Sequence, residues 1–387
     1  MINSRRAIVA AVFILIVFFL ISRSHTDSKP HLDTTSSSSS STTNSNPNPN
    51  KDGADTAKGE GGSSPASPNT QHQDLIPEGS AGGLVIDRPP PPRTPRKPTA
   101  DMSNLATYDK LGYAYPYDVT ARFPAYIWQT WKQTPAEPGF QFREQEASWS
   151  EQHPGFVHEV ITDELAVSLL RLLYATVPEV LEAYDALPLP VLKADFFRYL
   201  ILYARGGIYS DIDTYAIQSA LVWLPEEVPR DTVGLVIGIE ADPDRPDWKD
   251  WYSRRIQFCQ WTIQSKPGHP VLRDIIDRIT KETLLLKRSG KLASFLGDNV
   301  VDLTGPAVWT DTVMDYFNDE RYFDLSSSPG TIDYHNFTGM TTRKRVGDVV
   351  VLPITSFSPG VGQMGAKEPD DPMAFVKHDF EGESSEV

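Results

Sequence analysis

Apolar and polar positions change rhythm along the chain in three blocks. Ala7–Ile21 is an unbroken apolar run bounded by Arg5, Arg6 and Arg23. From Ser24 to about Ala100 no apolar period exists, and no aromatic residue occurs between Phe19 and Tyr108. Folded patterning sets in near Pro116–Arg122. Ala125–Trp131, aromatic and β-branched, predicts a buried strand, and Phe156–Thr162 predicts a second. Asp163 stands at a capping position ahead of Leu165, Val167, Leu169, Leu170 and Leu173, which predicts a helix. The strongest helix is predicted over Val191–Ala204, with Leu192, Phe196, Tyr199, Leu200 and Tyr203 at three- and four-residue spacings. Gly206-Gly207 ends it, because glycine takes the left-handed conformation of a helix stop. Ile208–Ser210 then reads as a strand running into Asp211-Ile212-Asp213. Thr232–Glu240 predicts another strand, Val271–Leu285 and Pro306–Phe317 two more helices, and Val349–Pro353 a late strand. The alternation predicts an α/β domain over 116–387 with a mainly parallel sheet. Ligands of such sheets gather at the carboxyl ends of strands, and Asp211 lies at one.

The two blocks before this domain carry a different message. The apolar run is shorter than the roughly 20 residues of an average membrane span, though thinner bilayers tolerate it. Its basic flank predicts a cytoplasmic tail over 1–6, a signal anchor over 7–22 and a lumenal remainder. A cleaved signal peptide is the competing reading, although no clear small-x-small cleavage site follows Ile21. The Ser/Thr/Asn/Pro-rich stretch over 23–115, with Thr34–Thr43 and Pro89–Pro92, predicts a disordered and O-glycosylated stem that cannot bury enough apolar surface to order itself.

Charge sharpens the division. The formal net charge is −15. The stem is nearly neutral and the first 23 residues are basic, so the acidity belongs to the globular part. Such a surface excludes a general nucleic-acid binder, whose affinity rests on Lys and Arg against phosphates. A single cysteine, Cys259, excludes an intrachain disulfide and any multi-cysteine metal site, and its aromatic surroundings predict a small buried hydrophobe.

Chemistry concentrates in one stretch. Two carboxylates one residue apart in a strand–loop setting, Asp211 and Asp213, can face one hard divalent cation. Such a cation would bridge diphosphate oxygens and draw charge from a departing nucleotide. Asp195 and Arg198 share a helix face just before Gly206-Gly207, and the turn can bring that face beside the strand end. Each piece has a plain alternative. Asp195 and Arg198 make an ordinary i,i+3 ion pair, and a second Asp-x-Asp, Asp242-Pro243-Asp244, reads as a surface turn. Arg343-Lys344-Arg345 reads as a solvated turn, and Asn336-Phe337-Thr338 is an N-glycosylation sequon.

Lys193–Thr214 as a whole resembles the signature of glycosyltransferase family 32, within it the fungal initiation-specific α-1,6-mannosyltransferases of the Golgi. Phe123–Lys132, Gly238–Asp244, Trp251–Trp261, Thr304–Trp309 and Leu352–Gly360 are similar too, in family order, over about 120–380. The resemblance implies a GT-A fold, GDP-mannose as donor, Mn²⁺ as metal and the core oligosaccharide of N-glycoproteins as acceptor, in a retaining transfer. By position, Asp211 and Asp213 become the metal and diphosphate motif, joined by His378. Asp195, Arg198, Gly207 and Tyr209 become donor contacts, Trp131 the platform for the base, and Glu240 and Asp242 acceptor contacts. Alternatives from the same resemblance are transfer to a glycolipid or a growing mannan, or a non-catalytic place in a mannosyltransferase complex. One departure stands out: after Val376–Gly382 the family continues with Ser-Trp, where this chain reads Glu383-Ser384-Ser385-Glu386-Val387. That implies an altered C-terminal lid.

Overall fold

A computed structural model describes residue 102 and residues 104–380 apart from 328 and 329. The chain divides into Met1–Pro90 and Pro91–Val387, and every described residue lies in the second unit. The expected tail, anchor and most of the stem, and the departure after Gly382, lie outside the described residues. Among the described residues no helix is long and apolar enough to cross a membrane.

Among the described residues ten strands follow in chain order: β1 (Tyr126–Thr130), β2 (Val157–Ile161), β3 (Gly207–Ser210), β4 (Thr214–Ala216), β5 (Leu235–Ala241), β6 (Gln257–Phe258), β7 (Thr262–Ser265), β8 (Lys344–Val346), β9 (Val349–Leu352) and β10 (Val376–His378). The helices are α1 (Thr107–Ala114), α2 (Arg143–Gln152), α3 (Asp163–Leu173), α4 (Pro178–Ala186), α5 (Pro190–Arg205), α6 (Pro270–Arg288), α7 (Leu292–Leu303), α8 (Pro306–Phe317) and the short α9 (Ile354–Phe357). The main sheet has the order β2-β1-β3-β7-β5-β9-β8 with β6 added to β5, and β4 pairs separately with β10. Strands β1, β2, β3, β5 and β9 share one direction, while β7 runs against both β3 and β5. The expectation of a mainly parallel sheet is therefore met by the five co-directional strands, while β6, β7 and β8 run against them and make the sheet mixed.

Register decides what meets at the sheet's carboxyl edge. Gln264 of β7 faces Ile208 of β3 on one side and Val236 of β5 on the other. Ile127 of β1 faces Ile208. Counting forward along the three co-directional strands, Trp131, Ile212 and Glu240 leave the sheet at one level. Apolar alternation splits its two faces. Trp128, Tyr209, Leu235, Ile237, Val349 and Val351 point into a core with α5, α6 and α8. Ile127, Ile208, Val236, Val350 and Leu352 point into a second with Trp149, Trp223 and Phe357. Both faces are covered, so the strands read as apolar runs rather than half-polar ones.

Helix α5 begins on Pro190, whose missing N–H costs nothing in a first turn. It is buried almost all round from Asp195 to Ala204, so its few polar groups must find partners inside the protein. Gly206 and Gly207 both take positive φ, 66° and 98°. A Cβ on Gly207 would stand 2.6 Å from the Tyr126 carbonyl oxygen. That close approach lets α5 turn directly into β3 beside β1.

Several expectations shift. The cap of α3 is Thr162, whose hydroxyl accepts from the Leu165 amide, with Asp163 inside the first turn. Strand β5 starts at Leu235, because Arg230–Thr232 forms a 3₁₀ turn. Globular structure begins before residue 116: α1 lies within the expected stem, with Leu111 fully buried and Arg273 stacked 3.6 Å from the Tyr108 ring centre. Asp242 is buried rather than on a surface turn. Cys259 is fully buried, as expected.

Candidate active site

Asp211 follows β3 directly, and its backbone is tied on every side. Its N–H donates to the Trp261 carbonyl. Its own carbonyl accepts from the Gln129 side chain at 3.1 Å and from the Thr214 hydroxyl at 2.6 Å. Gln129 is held in turn by His158, with Nε2 to Oε1 at 2.8 Å. Burial pushes the His158 pKa down to about 4, which keeps this ring neutral. A polar line from β2 through β1 thus fixes the backbone of the acidic motif on β3.

The side chains divide into two groups. Arg198 Nη2 donates to Asp211 Oδ1 at 3.0 Å and approaches Oδ2 at 3.4 Å. Its Nη1 lies 2.8 Å from Asp195 Oδ1, close enough for an ion pair but out of line for a hydrogen bond. Asp195 is held by two further donors, Thr304 Oγ1 at 2.9 Å and Gln260 Nε2 at 3.2 Å. Tyr199 completes the set by donating to Gln260 Oε1 at 2.7 Å. Burial raises the pKa of Asp195 and of Asp211, and the Arg198 charge opposes it in both. Burial works against the Arg198 charge, but Asp211 and Asp195 outweigh it and hold the guanidinium charged.

The second group forms around Asp213. Strand β10 pairs antiparallel with β4, placing His378 opposite Thr214. The Asp379 amide donates to the Asp213 carbonyl at 2.9 Å. His378 Nε2 lies 3.5 Å from Asp213 Oδ1, and the ring packs 4.7 Å from Trp261. His378 Nδ1 accepts from the Phe380 amide at 2.9 Å, with Phe380 at φ 54°. With Nδ1 accepting, the neutral ring carries its proton on Nε2, toward Asp213. For His378 to hold a cation through Nε2, its Nδ1 would have to give up the Phe380 amide and carry the ring proton instead.

The expected metal trio is therefore brought together only in part. Asp213 and His378 meet, while both oxygens of Asp211 face Arg198. Among the described residues no group of three His, Cys, Asp or Glu side chains is arranged to hold an ion. The donor chemistry still fits a divalent cation of the Mn²⁺ type, which accepts carboxylate and imidazole together.

The remaining expected residues fall in different places. Trp131 stands at the level of Ile212 and meets Phe142 edge-on at 4.8 Å, and Ile212 packs in the same cluster. Its buried Nε1 has no hydrogen-bond partner. Tyr209 is fully buried, with its ring 5.2 Å from the Arg198 guanidinium and its hydroxyl 3.0 Å from Thr130 Oγ1, so it packs behind the ion pair. Gly207 sits at the far end of β3 and serves the turn. Glu240 reaches the edge and accepts from Gln257 at 2.8 Å. Asp242 is consumed by structure: Arg255 at 2.9 Å, Thr338 Oγ1 at 2.8 Å and the Gly339 amide at 2.7 Å all bind its carboxylate. Asn336 is exposed, on a turn capped by Asp333. Arg343 and Arg345 direct their guanidinium groups to backbone carbonyls, which ties the basic run to its own surface. Cavities of about 560 and 770 Å³ lie elsewhere, the first lined by Tyr117, Tyr316 and Asp348, the second by Asp274, Asp277 and Arg321.

Sequence reasoning did not single out Gln129, His158, Gln260, Trp261 or Thr304. Gln129, Gln260, Trp261 and Thr304 lie in stretches that carry the family resemblance, which was the available signal. His158 sits on a strand whose polar positions look like ordinary outward ones.

Comparison with known proteins follows the same residues. A family model described as "Glycosyltransferase sugar-binding region containing DXD motif" matches residues 139–229. An initiation-specific alpha-1,6-mannosyltransferase of Candida albicans is 47% identical over 288 residues, covering 70% of this chain and 75% of the relative. The protein of that name in Saccharomyces cerevisiae is 34% identical over 401 aligned positions, covering 75% and 83%. The solved structure of the PaToxG glycosyltransferase overlays with a TM-score of 0.34 and 16% identity, covering 54% of this chain and 74% of its own, too loosely to argue from.

Proposed function

We propose, from the premise that the chain belongs to the DXD glycosyltransferase family of the fungal initiation-specific alpha-1,6-mannosyltransferases, that it moves mannose from GDP-mannose onto the core oligosaccharide of N-glycoproteins in α-1,6 linkage. The reading is carried by one observation: Asp211 and Asp213 leave β3 at the sheet's carboxyl edge between the Arg198 guanidinium and the His378 ring. The co-directional β2-β1-β3 unit supports a nucleotide-sugar fold of the GT-A type.

The two carboxylates have different tasks in this reading. Asp211 is neutralised by Arg198 and orients the loop. Asp213 and His378 are the residues that would hold Mn²⁺, whose charge would offset that of the diphosphate leaving group. Trp131, level with Ile212, offers an indole edge to the guanine base. Asp195 has both oxygens engaged by Thr304, Gln260 and Arg198, so it acts as a positioning group rather than a nucleophile. That favours departure and attack on the same face of the sugar over a covalent carboxylate intermediate. A single-pass type II anchor over 7–22 would hold the domain in the Golgi lumen.

Incubating the full chain with GDP-mannose, Mn²⁺ and a mannose-rich N-glycan, then reading the new linkage by NMR, tests the proposal. One added α-1,6 mannose is expected. Transfer from a UDP-sugar instead, or to a glycolipid but no N-glycan, overturns it.

A further inference from the structure

Residues 242–256 join β5 to β6 and emerge from the same edge as the acidic motif, because β5 and β3 run together on either side of β7. Both feet of this loop are anchored through the Asp242–Arg255 pair and the Thr338–Gly339 turn. Its tip is built differently from the rest of the protein. Trp149, Trp223 and Trp309 are fully buried, whereas Trp251 is 40% exposed. The indole is held by its own loop: Arg245 grips Asp247 with two hydrogen bonds of 2.6 and 2.7 Å and lies 4.7 Å over the Trp251 ring. Trp251 Nε1 reaches Asp247 Oδ2 at 3.4 Å. Asp244 and Asp250 are exposed on the same loop.

We propose that this tip is the acceptor subsite, where a pyranose ring of an uncharged mannose oligosaccharide stacks on Trp251 and its hydroxyls donate to the neighbouring carboxylates. An indole already ordered in an exposed position presents an apolar face at little further entropic cost. Carboxylates are acceptors only, matched to a ligand rich in hydroxyl donors. Over 242–256 the four aspartates are balanced by Arg245, Lys249, Arg254 and Arg255, so the loop carries no formal net charge to draw an ionic occupant and suits an uncharged one. The inference rests on the functional reading above and adds the place where the acceptor is recognised.

The test compares the full-length wild type with Trp251→Ala and Trp251→Tyr. Acceptor KM, donor KM and equilibrium affinity for a mannose oligosaccharide without donor are measured. Trp251→Ala should raise acceptor KM and weaken oligosaccharide affinity about five- to tenfold, with donor KM unchanged. Trp251→Tyr should stay within about twofold. If the wild type transfers mannose and Trp251→Ala leaves acceptor KM unchanged, the subsite falls alone. A change only in self-association overturns it in favour of contact with a second copy. A wild type that neither binds nor mannosylates any such oligosaccharide overturns the functional reading and the subsite together.

Discussion

Arg198 stands between two carboxylates and makes its best hydrogen bond with Asp211, Nη2 to Oδ1 at 3.0 Å. Only a planar fork reaches both acids from one position on α5. Arg198→Ala should destabilise the domain by about 3–5 kcal/mol, because it strands Asp195 and Asp211 without their cation. Arg198→Lys should keep more of the stability yet lose roughly a hundredfold in transfer, since an ammonium cannot hold both partners. Urea titration and initial rates of sugar transfer measure the two effects. A lysine variant with wild-type rate would show that Asp211 needs charge but not orientation.

Asp213 and His378 meet across the β4–β10 pair, whereas Asp211 is committed to Arg198. Asp213→Asn should therefore weaken Mn²⁺ binding by at least about tenfold, and Asp211→Asn by much less. Manganese EPR on the nucleotide-free protein reads this without any turnover. Equal losses in the two variants would mean that Asp211 leaves Arg198 when the metal binds.

His158 links acidity to stability. Burial lowers its pKa from 6.5 to about 4. Between those values the unfolded chain binds a proton that the folded one refuses, so stability falls as pH drops through this window. The shift is worth about 3 kcal/mol, fully present above pH 6.5 and lost toward pH 4. His158→Gln should flatten that part of the stability–pH curve in chemical denaturation. An unchanged slope would assign the acid sensitivity to other groups.

Gly207 combines φ 98° with a carbonyl 2.6 Å from where a Cβ would stand. Gly207→Ala should cost at least about 2 kcal/mol, through both strain and displacement of β1 from β3. Thermal melting gives the loss. Gly290→Ala is the control, with a comparable φ of 67° but open space around it, and should cost less.

Local grammar made much of this protein readable in advance. Helix α8 falls where its periodicity puts it, and α5 exceeds its expected span by one residue at each end. The α5–Gly-Gly–β3–Asp-x-Asp unit is legible because helix period, glycine stop and strand follow one another within 22 residues, Lys193–Thr214. Helix α1 was missed because its short apolar face, Tyr108 and Leu111 with Tyr115 just past its end, borders a polar stretch. Asp242 looked like a turn residue because its spacing to a second aspartate carries no trace of the three donors that surround it.

The sequence by itself determined the acidic pair at a strand end, the buried helix before it and the acidic globular part. Tertiary structure alone decided how those groups are shared: that β7 is reversed, that β10 returns His378 to Asp213, and that Thr304 and Gln260 capture Asp195. The reason is physical. Helix and turn preferences arise from neighbours in the chain, whereas register and the partner of a buried charge are set by packing between segments distant in the chain, 65 residues apart for Gln260 and Asp195 and 109 for Thr304 and Asp195.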